Sequence, residues 1–543
     1  MRKILFTLSF AASLVYGQIQ EVPQPSQEEL ELRAWYHKNF AKENVYGVAT
    51  EDAYAYAKEK GLKINPVVVG VIDSGIQGDH EDLAGNMWVN VNEIPNNGID
   101  DDNNGYIDDV HGWNFIGGAD GRNVNQDNLE LTRLVREGNA LFASKDNFTN
   151  ETNQKKFPEK YATYLKAKAE LDENYTQAKM AYEGISIQAE QAGLGYSKFG
   201  EEYGMDKEIS VKGIKSFKPK SDEAKFIAGR FESTINTYEA PEVFGKTPRE
   251  ILEEFNEGVN EAISYYESQV KYHYNLDFDP RDIVGDDYEN LDERIYGNND
   301  IQGPDALHGT HVAGIIGAVR NNNIGMNGIA TNAKLMSIRA VPDGDERDKD
   351  IANAIRYAVD NGAKIINMSF GKAYSPHPEK VWEAMRYASD NNVLLVHAAG
   401  NDNQNIDEII NYPINYYSDG KVVAPTWITV GASTRYNDDI RASFSNFGKK
   451  QVDIFAPGLE IYSTIPQNDY KFLQGTSMAA PVVSGVAALV WGYFPELTAQ
   501  ELREVLIKSG NLSNELLDLS TNGVIVDAKK ALQIAEMLLA DKK

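Results

Sequence analysis

The chain has 543 residues, 42% hydrophobic and 25% charged, a globular composition long enough for about two to four structural units and a large core, which excludes a wholly disordered or fibrous protein. It contains no cysteine, which excludes a thiol nucleophile, a thiolate zinc site, an iron–sulfur cluster, a disulfide framework and a lipid-bearing cysteine anchor. The formal charge of −28 opposes attraction to nucleic acid or to an anionic membrane and favours a soluble, cation-binding surface, so nucleic acid is not an expected partner.

In chain order, Met1-Arg2-Lys3 precedes the apolar run Ile4 to Val15 and the small residue Gly17. This pattern predicts a secretory signal peptide over residues 1–17 and export to the periplasm or the extracellular space. The other reading is a buried N-terminal helix, which the polar, proline-bearing stretch Gln18–Glu31 opposes. Ala479–Phe494, the nearest other apolar run, is broken by Pro481, Ser484 and Gly485, so stable membrane insertion is not expected once the signal is removed. Residues 18–62 read as an N-terminal extension or short propeptide.

The run Val67–Ile72 is β-branched on both parities, as in a strand covered on both faces of a parallel sheet. Similar runs recur at Leu335–Ala340, Lys364–Met368, Val393–Ala398 and Trp427–Val430. Asp350–Asn361 carries apolar residues at helical spacing and is followed by Gly362. Alternating strands and helices predict an α/β fold with function at the strand ends. Asp73-Ser74-Gly75 ends the first strand with a carboxylate; alone, such an aspartate can simply cap a helix.

Asp100, Asp102 and Asn104 then occupy positions 1, 3 and 5 of a calcium-type loop, with Gly105 at 6, the Tyr106 carbonyl at 7 and Asp108 at 9. Position 12 is His111, so the bidentate glutamate is missing, and a solvated acidic turn is the other reading. From 121 to 297 the texture changes to long amphipathic, charge-rich stretches such as Lys155–Tyr182 and Thr247–Tyr274, which predicts a mostly helical insertion with solvated charges.

Three later segments carry chemistry. His308-Gly309-Thr310-His311-Val312-Ala313-Gly314 sets two imidazoles three apart, without the four-residue spacing and glutamate of a zincin. One histidine is expected to be an acid–base and the other structural. Asn401 follows the strand Val393–Val396 in Ala398-Ala399-Gly400-Asn401, a common place for a turn asparagine. Gly475-Thr476-Ser477-Met478-Ala479-Ala480-Pro481 opens a helix apolar almost all round, which would hold Ser477 rigidly at a positive helix end; a plain cap is the alternative.

The three motifs around Asp73, His308 and Ser477, in that order along the chain, resemble the signature blocks of the subtilisin-like serine peptidases (subtilases, S8). The resemblance implies a three-layer α/β/α fold with a mostly parallel sheet, built from residues 63–120 and 298–543, with 121–297 inserted. It implies Asp73, His308 and Ser477 as catalytic residues, Asn401 as oxyanion donor, and Ser369, Phe370 and Gly371 as the segment that pairs with an extended peptide. It also makes Asp82 and, less directly, Asn321 candidate ligands of a second calcium site. The implied activity is endoproteolysis of protein or peptide substrates through an acyl-enzyme, with structural Ca2+. A catalytically silent binding or scaffold protein with the same core is the alternative. Two departures stand out: 18–62 is too short for the usual inhibitory propeptide, and 235 positions separate Asp73 from His308.

Overall fold

The structure, a computed structural model, describes residues 26–235 and 243–542; the signal-peptide expectation for 1–17 falls outside them. The strands of the main sheet are β1 (Val67–Asp73), β2 (Gly112–Asn114), β3 (Ala333–Arg339), β4 (Ile365–Met368), β5 (Leu394–Ala398), β6 (Trp427–Ser433) and β7 (Ile454–Pro457). A separate hairpin, β8 (Ile461–Ile465) and β9 (Asp469–Leu473), follows, and β10 (Asn511–Leu512) and β11 (Val524–Ile525) complete the sheet. Its order is β10-β11-β7-β6-β5-β4-β1-β3-β2, and every pairing is parallel except β10 with β11.

Side chains on a strand alternate between faces, so the β-branched runs feed two cores. Val69 and Val71 face one core together with the helices Leu307–Gly317 and Thr476–Tyr493. Ile72, Ile338 and Ile366 face the other, under the helices Asp348–Asp360 and Pro378–Asp390. This is the three-layer α/β/α fold expected from the sequence. Thr476–Tyr493 is long and apolar enough to cross a membrane, but it is the core helix of its layer, with Val482, Val483, Val486 and Leu489 fully buried.

Part of the N-terminal extension 18–62 packs against the catalytic-fold core. Trp35 and Tyr36 are buried in the same core as β1, and the Trp35 indole N–H donates to the Glu460 carbonyl at 2.9 Å. The helix Thr50–Lys60 buries Ala53 and Ala57 there and packs on the C-terminal helix Ala528–Asp541. From Trp35 onward the extension is therefore built into the body of the domain.

The charge-rich region forms helices Glu130–Phe142, Asn147–Lys156, Pro158–Tyr203, Val211–Ser216, Asp222–Ile235 and Pro248–Ser268. The sequence patterning placed the long helix three residues early and ended it at Tyr182; it runs on to Tyr203. Not all of its charges are solvated. Where the insertion meets the α/β body, Arg347 pairs with Asp127 at 2.8 and 3.0 Å, Glu130 with Arg133 at 2.6 Å and with Lys372 at 3.1 Å, and Arg281 with Asp350 at 2.6 and 2.9 Å. All seven of these residues are buried. Glu130 is pushed up by burial, yet Arg133 and Lys372 hold its carboxyl down at about 2.

Candidate active site

The strand order reverses direction at β1, which has β3 on one side and β4 on the other. In open parallel sheets the crevice beyond the carboxyl ends at such a point is where ligands bind. Asp73 ends β1, Ser369 follows β4, and Asn401 lies three residues beyond β5. Ser477 is the second residue of the core helix Thr476–Tyr493, which passes under these strand ends. A cleft of about 420 Å3 is lined there by Asp73, His308, Ser369, Phe370 and Gly371, with residues of the loop after β3 along its other edge.

His308 reaches Asp73 because two backbones meet without side chains between them. A Cβ on Gly309 would lie 2.1 Å from the Gly75 carbonyl oxygen, so only glycine lets the helix dock this closely. Across that contact His308 Nδ1–H donates to Asp73 Oδ1 at 2.7 Å, and the same oxygen accepts the Ser74 N–H at 2.8 Å. Asp73 is 2% exposed, whereas the His308 side chain keeps 36% of its surface. Burial lowers the imidazole pKa, but the charge and hydrogen bond of Asp73, with the charge of Asp305, outweigh it, and the net shift is upward.

His311 is the structural histidine of the pair. Its Nε2 meets the carbonyls of Ile461 and Lys471 at 3.1 and 3.0 Å, so it carries the proton there, and burial lowers its pKa to about 3. It locks the His308 helix to the β8–β9 hairpin.

Ser477 is held by a chain of buried polar groups. Pro481 has no N–H, so the carbonyl four residues back, that of Ser477, loses its helical partner. Ser369 Oγ fills the gap, donating to that carbonyl at 2.9 Å. Asn367 donates to Ser369 Oγ at 2.9 Å and accepts from Ser484 Oγ at 2.8 Å. The Ser477 hydroxyl itself donates to the Ser369 carbonyl at 3.2 Å and makes no hydrogen bond to His308. Catalytic hydrogen bonds are often loose before substrate arrives.

Asn401 is oriented by its own oxygen. Its Oδ1 accepts from Thr476 N at 2.8 Å and from Thr476 Oγ1 at 3.0 Å, which turns the NH2 toward Gly475 beside Ser477. A Cβ on Gly475 would stand 3.4 Å from Asn401 Nδ2 and 3.6 Å from Ser477 N. Both donors thus border one small space that glycine keeps open.

The acidic loop differs in detail from its reading in the sequence. Asp100, Asp102 and Asn104 fold around their own backbone: Asp100 accepts the amides of Asn104 and Gly105, and Asn104 Oδ1 accepts that of Tyr106. Asp108 accepts the amides of Asn97 and Gly98, at 3.0 and 2.9 Å, and is not in the carboxylate cluster that holds Asp100 and Asp102. Glu93, which no loop spacing singles out, comes in instead; ligand atoms of Glu93, Asp100 and Asp102 all lie within 4.8 Å of one another. At the second candidate, Asp82 is fully buried and meets Asn322 Nδ2 at 2.7 Å and the Met326 amide at 3.1 Å. It is Asn322, not Asn321, that meets Asp82; the Asn321 N–H donates to Asn327 Oδ1 at 2.8 Å.

A doubly covered, almost wholly parallel sheet with an acid–imidazole pair and a helix-borne serine at its switch point defines an α/β protein of the doubly wound class. The sequence pattern of the subtilase family matches residues 65–524, and the chain belongs to that family. It is 37% identical over 239 residues to the cell wall-associated protease of Bacillus subtilis (strain 168), covering 44% of this chain and 25% of that protein. It is 41% identical over 184 residues to thermitase of Thermoactinomyces vulgaris, covering 34% and 60%. The chain thus spans less than two thirds of the length of either curated relative. Among solved structures, a cold adapted subtilisin-like serine proteinase matches at 30% identity with a TM-score of 0.36, over 43% of this chain and 78% of that one.

The upward shift of His308 depends on the Asp73 charge, which gives a direct check. In Asp73→Asn the charge is gone and burial remains, so the His308 ring protons should titrate at lower pH than in the unchanged protein, read by NMR. An unmoved or raised titration would overturn this account of the pair.

Proposed function

We propose that this subtilase is an exported serine endopeptidase. The observation that carries the reading is the convergence of Asp73, His308, Ser477 and Asn401 at one strand-end crevice. In this mechanism the Ser477 hydroxyl leaves its bond to the Ser369 carbonyl when a peptide pairs along Ser369–Gly371. Ser477 Oγ attacks the scissile carbonyl and its proton passes to His308 Nε2. Asp73 holds the Nδ1–H tautomer and stabilises the imidazolium. Asn401 Nδ2 and the Ser477 N–H receive the developing oxyanion. His308 then gives its proton to the leaving amine, and water, activated by the same imidazole, hydrolyses the acyl-enzyme. Since His308 must start neutral, activity should fall as pH drops below its raised pKa.

A fluorophosphonate probe should label the wild-type protein and not Ser477→Ala, and Asn401→Ala should lower kcat by about 10^2- to 10^3-fold with little change in KM. No labelling of a folded protein would favour the catalytically silent binding reading. Export rests on the Met1–Gly17 pattern and agrees with the name of the cell wall-associated relative.

The insertion reads as a roof over the cleft. Ser268 and His273 bond Asp343 on the cleft rim at 2.9 and 3.0 Å. One face of the same helix, about 10 Å back along its axis, offers Glu261 to Lys471 of β9 at 3.0 Å, and β9 leads directly to Ser477. A chain entering beneath must be extended and unfolded. Unfolded casein and short peptides should therefore be cut, and a natively folded globular protein should resist; equal rates on native and unfolded forms would remove the roof from the mechanism.

Glu93, Asp100 and Asp102 suit a hard cation, since their oxygens are close enough to share one ion and would otherwise repel. We assign structural Ca2+ to them. At a free Ca2+ level a hundred times Kd the ion would add about 2.7 kcal/mol of stability. A chelator should lower Tm in the wild type and have little effect in Glu93→Gln; an equal drop in both would exclude this site.

A further inference from the structure

The loop that follows β3 lines the cleft opposite Phe370 and Gly371, and it carries a buried carboxyl group one oxygen of which has no partner. Glu346 is 3% exposed, and its Oε1 has no hydrogen-bond partner. The nearby cations are already engaged. Lys372 Nζ donates to Glu130 Oε2 at 3.1 Å and to the backbone oxygen of Glu346 at 2.8 Å, and it pairs with the Asp348 carboxylate at 2.8 Å. The Arg133 terminal nitrogens go to Glu130 and to the carbonyls of Asn128 and Asp345, its Nε–H having no partner, and Arg347 goes to Asp127 and Asp279. Arg339, the basic residue of the cleft lining, turns its head to Ser74 O, Asn114 Oδ1 and Val124 O.

Negative groups, by contrast, are in surplus. Asp345 and Asp348 flank Glu346 in sequence, and Asp305 and Asp343 line the same cleft. Glu346, Phe370 and Gly371 line the same cleft, so the carboxyl stands at the wall of the space that a substrate side chain enters from Gly371. A buried acceptor without a donor destabilises a folded protein unless something arrives to satisfy it.

We propose that Glu346 is a specificity-determining residue, whose carboxylate receives the ammonium or guanidinium of a substrate lysine or arginine lying along Ser369–Gly371. This rests on the peptidase reading above and adds the class of side chain that the cleft selects. Burial, with the charges of Asp345 and Asp348 and against the pull of Lys372, pushes the Glu346 carboxyl up to about 8. In the free protein at neutral pH it therefore holds a proton, which an incoming cation displaces. Selectivity for basic residues should grow as pH rises through about 8, while the His308 ionisation affects all substrates alike and cancels from a ratio.

The test uses peptide pairs that differ at one position, arginine against citrulline and lysine against norleucine, scanned on both sides of the cut. Charge-assisted contact should make kcat/KM about tenfold to a hundredfold higher for the basic member at one position. In Glu346→Gln that ratio should fall towards one and lose its pH dependence. A wild-type ratio near one at every position overturns the proposal, as does a ratio that Glu346→Gln keeps. If Glu346→Gln does not fold, the rise of the wild-type ratio between pH 7 and 9 decides alone, and a flat ratio counts against Glu346. The same pairs titrated calorimetrically into Ser477→Ala separate the two readings. Binding that favours arginine over citrulline without any hydrolysis by the wild type would sink the peptidase reading and keep this one.

Discussion

The site depends on a single steric concession between two elements far apart in the chain. Gly309 lies against the Gly75 carbonyl with no room for a side chain, and a Cβ there would sit 2.1 Å from that oxygen. Any other residue would push the helix Leu307–Gly317 off the end of β1 by more than the tolerance of a hydrogen bond. The 2.7 Å contact between His308 and Asp73 would then be lost. On the opposite side of the helix, His311 bonds two carbonyls of the β8–β9 hairpin, and Ser463 and Thr464 return bonds to the carbonyls of His311 and Thr310 at 2.7 and 2.8 Å. The imidazole is thus clamped from two directions before any substrate is present, which is what proximity effects require.

Ser477 is fixed by a different device. A proline one turn into a helix normally leaves an unpaired carbonyl and a kink. Here the orphaned carbonyl belongs to Ser477 itself, and Ser369, a residue of the peptide-pairing segment, is the donor that meets it. The substrate edge and the serine therefore share one hydrogen-bond chain through Asn367 to Ser484, in which Ser369, Asn367 and Ser484 are buried. A fully satisfied buried chain of this kind rigidifies what it links.

Much of this was legible before the fold was known, and the limits are physical. The β-branched run Val67–Ile72 announced a doubly covered strand because burial on both faces removes the polar alternation. The helix of Ser477 was legible for the same reason. Short strands such as β2 and β10 were not, since three or two residues carry no periodicity. Loop spacing counts positions along the chain, so it pointed to Asp108, whereas the folded chain clusters Glu93 with Asp100 and Asp102 and sets Asp108 on the amides of Asn97 and Gly98. Glu93 and Glu346 had no local signal at all; each acquires its meaning from neighbours that only the folded chain supplies.

The same reasoning explains why the insertion keeps a fixed pose. An exposed ion pair such as Lys471 with Glu261 contributes about 0–1 kcal/mol, too little to hold long helices over a cleft. The buried set is of another kind. Arg281 meets Asp350 and Asp286 with bidentate geometry, and Lys349 meets Asp286 and Glu293 with its side chain wholly buried. Desolvating these charges offsets much of their attraction, so the network adds little to net stability. Separating any partner, however, leaves an uncompensated charge in the interior, which costs about 3–5 kcal/mol. The charges that read in the sequence as a solvated helical surface therefore act at the junction as a register lock. They admit one seating of the insertion on the helix Asp348–Asp360, and with it one position for the loop that borders the cleft.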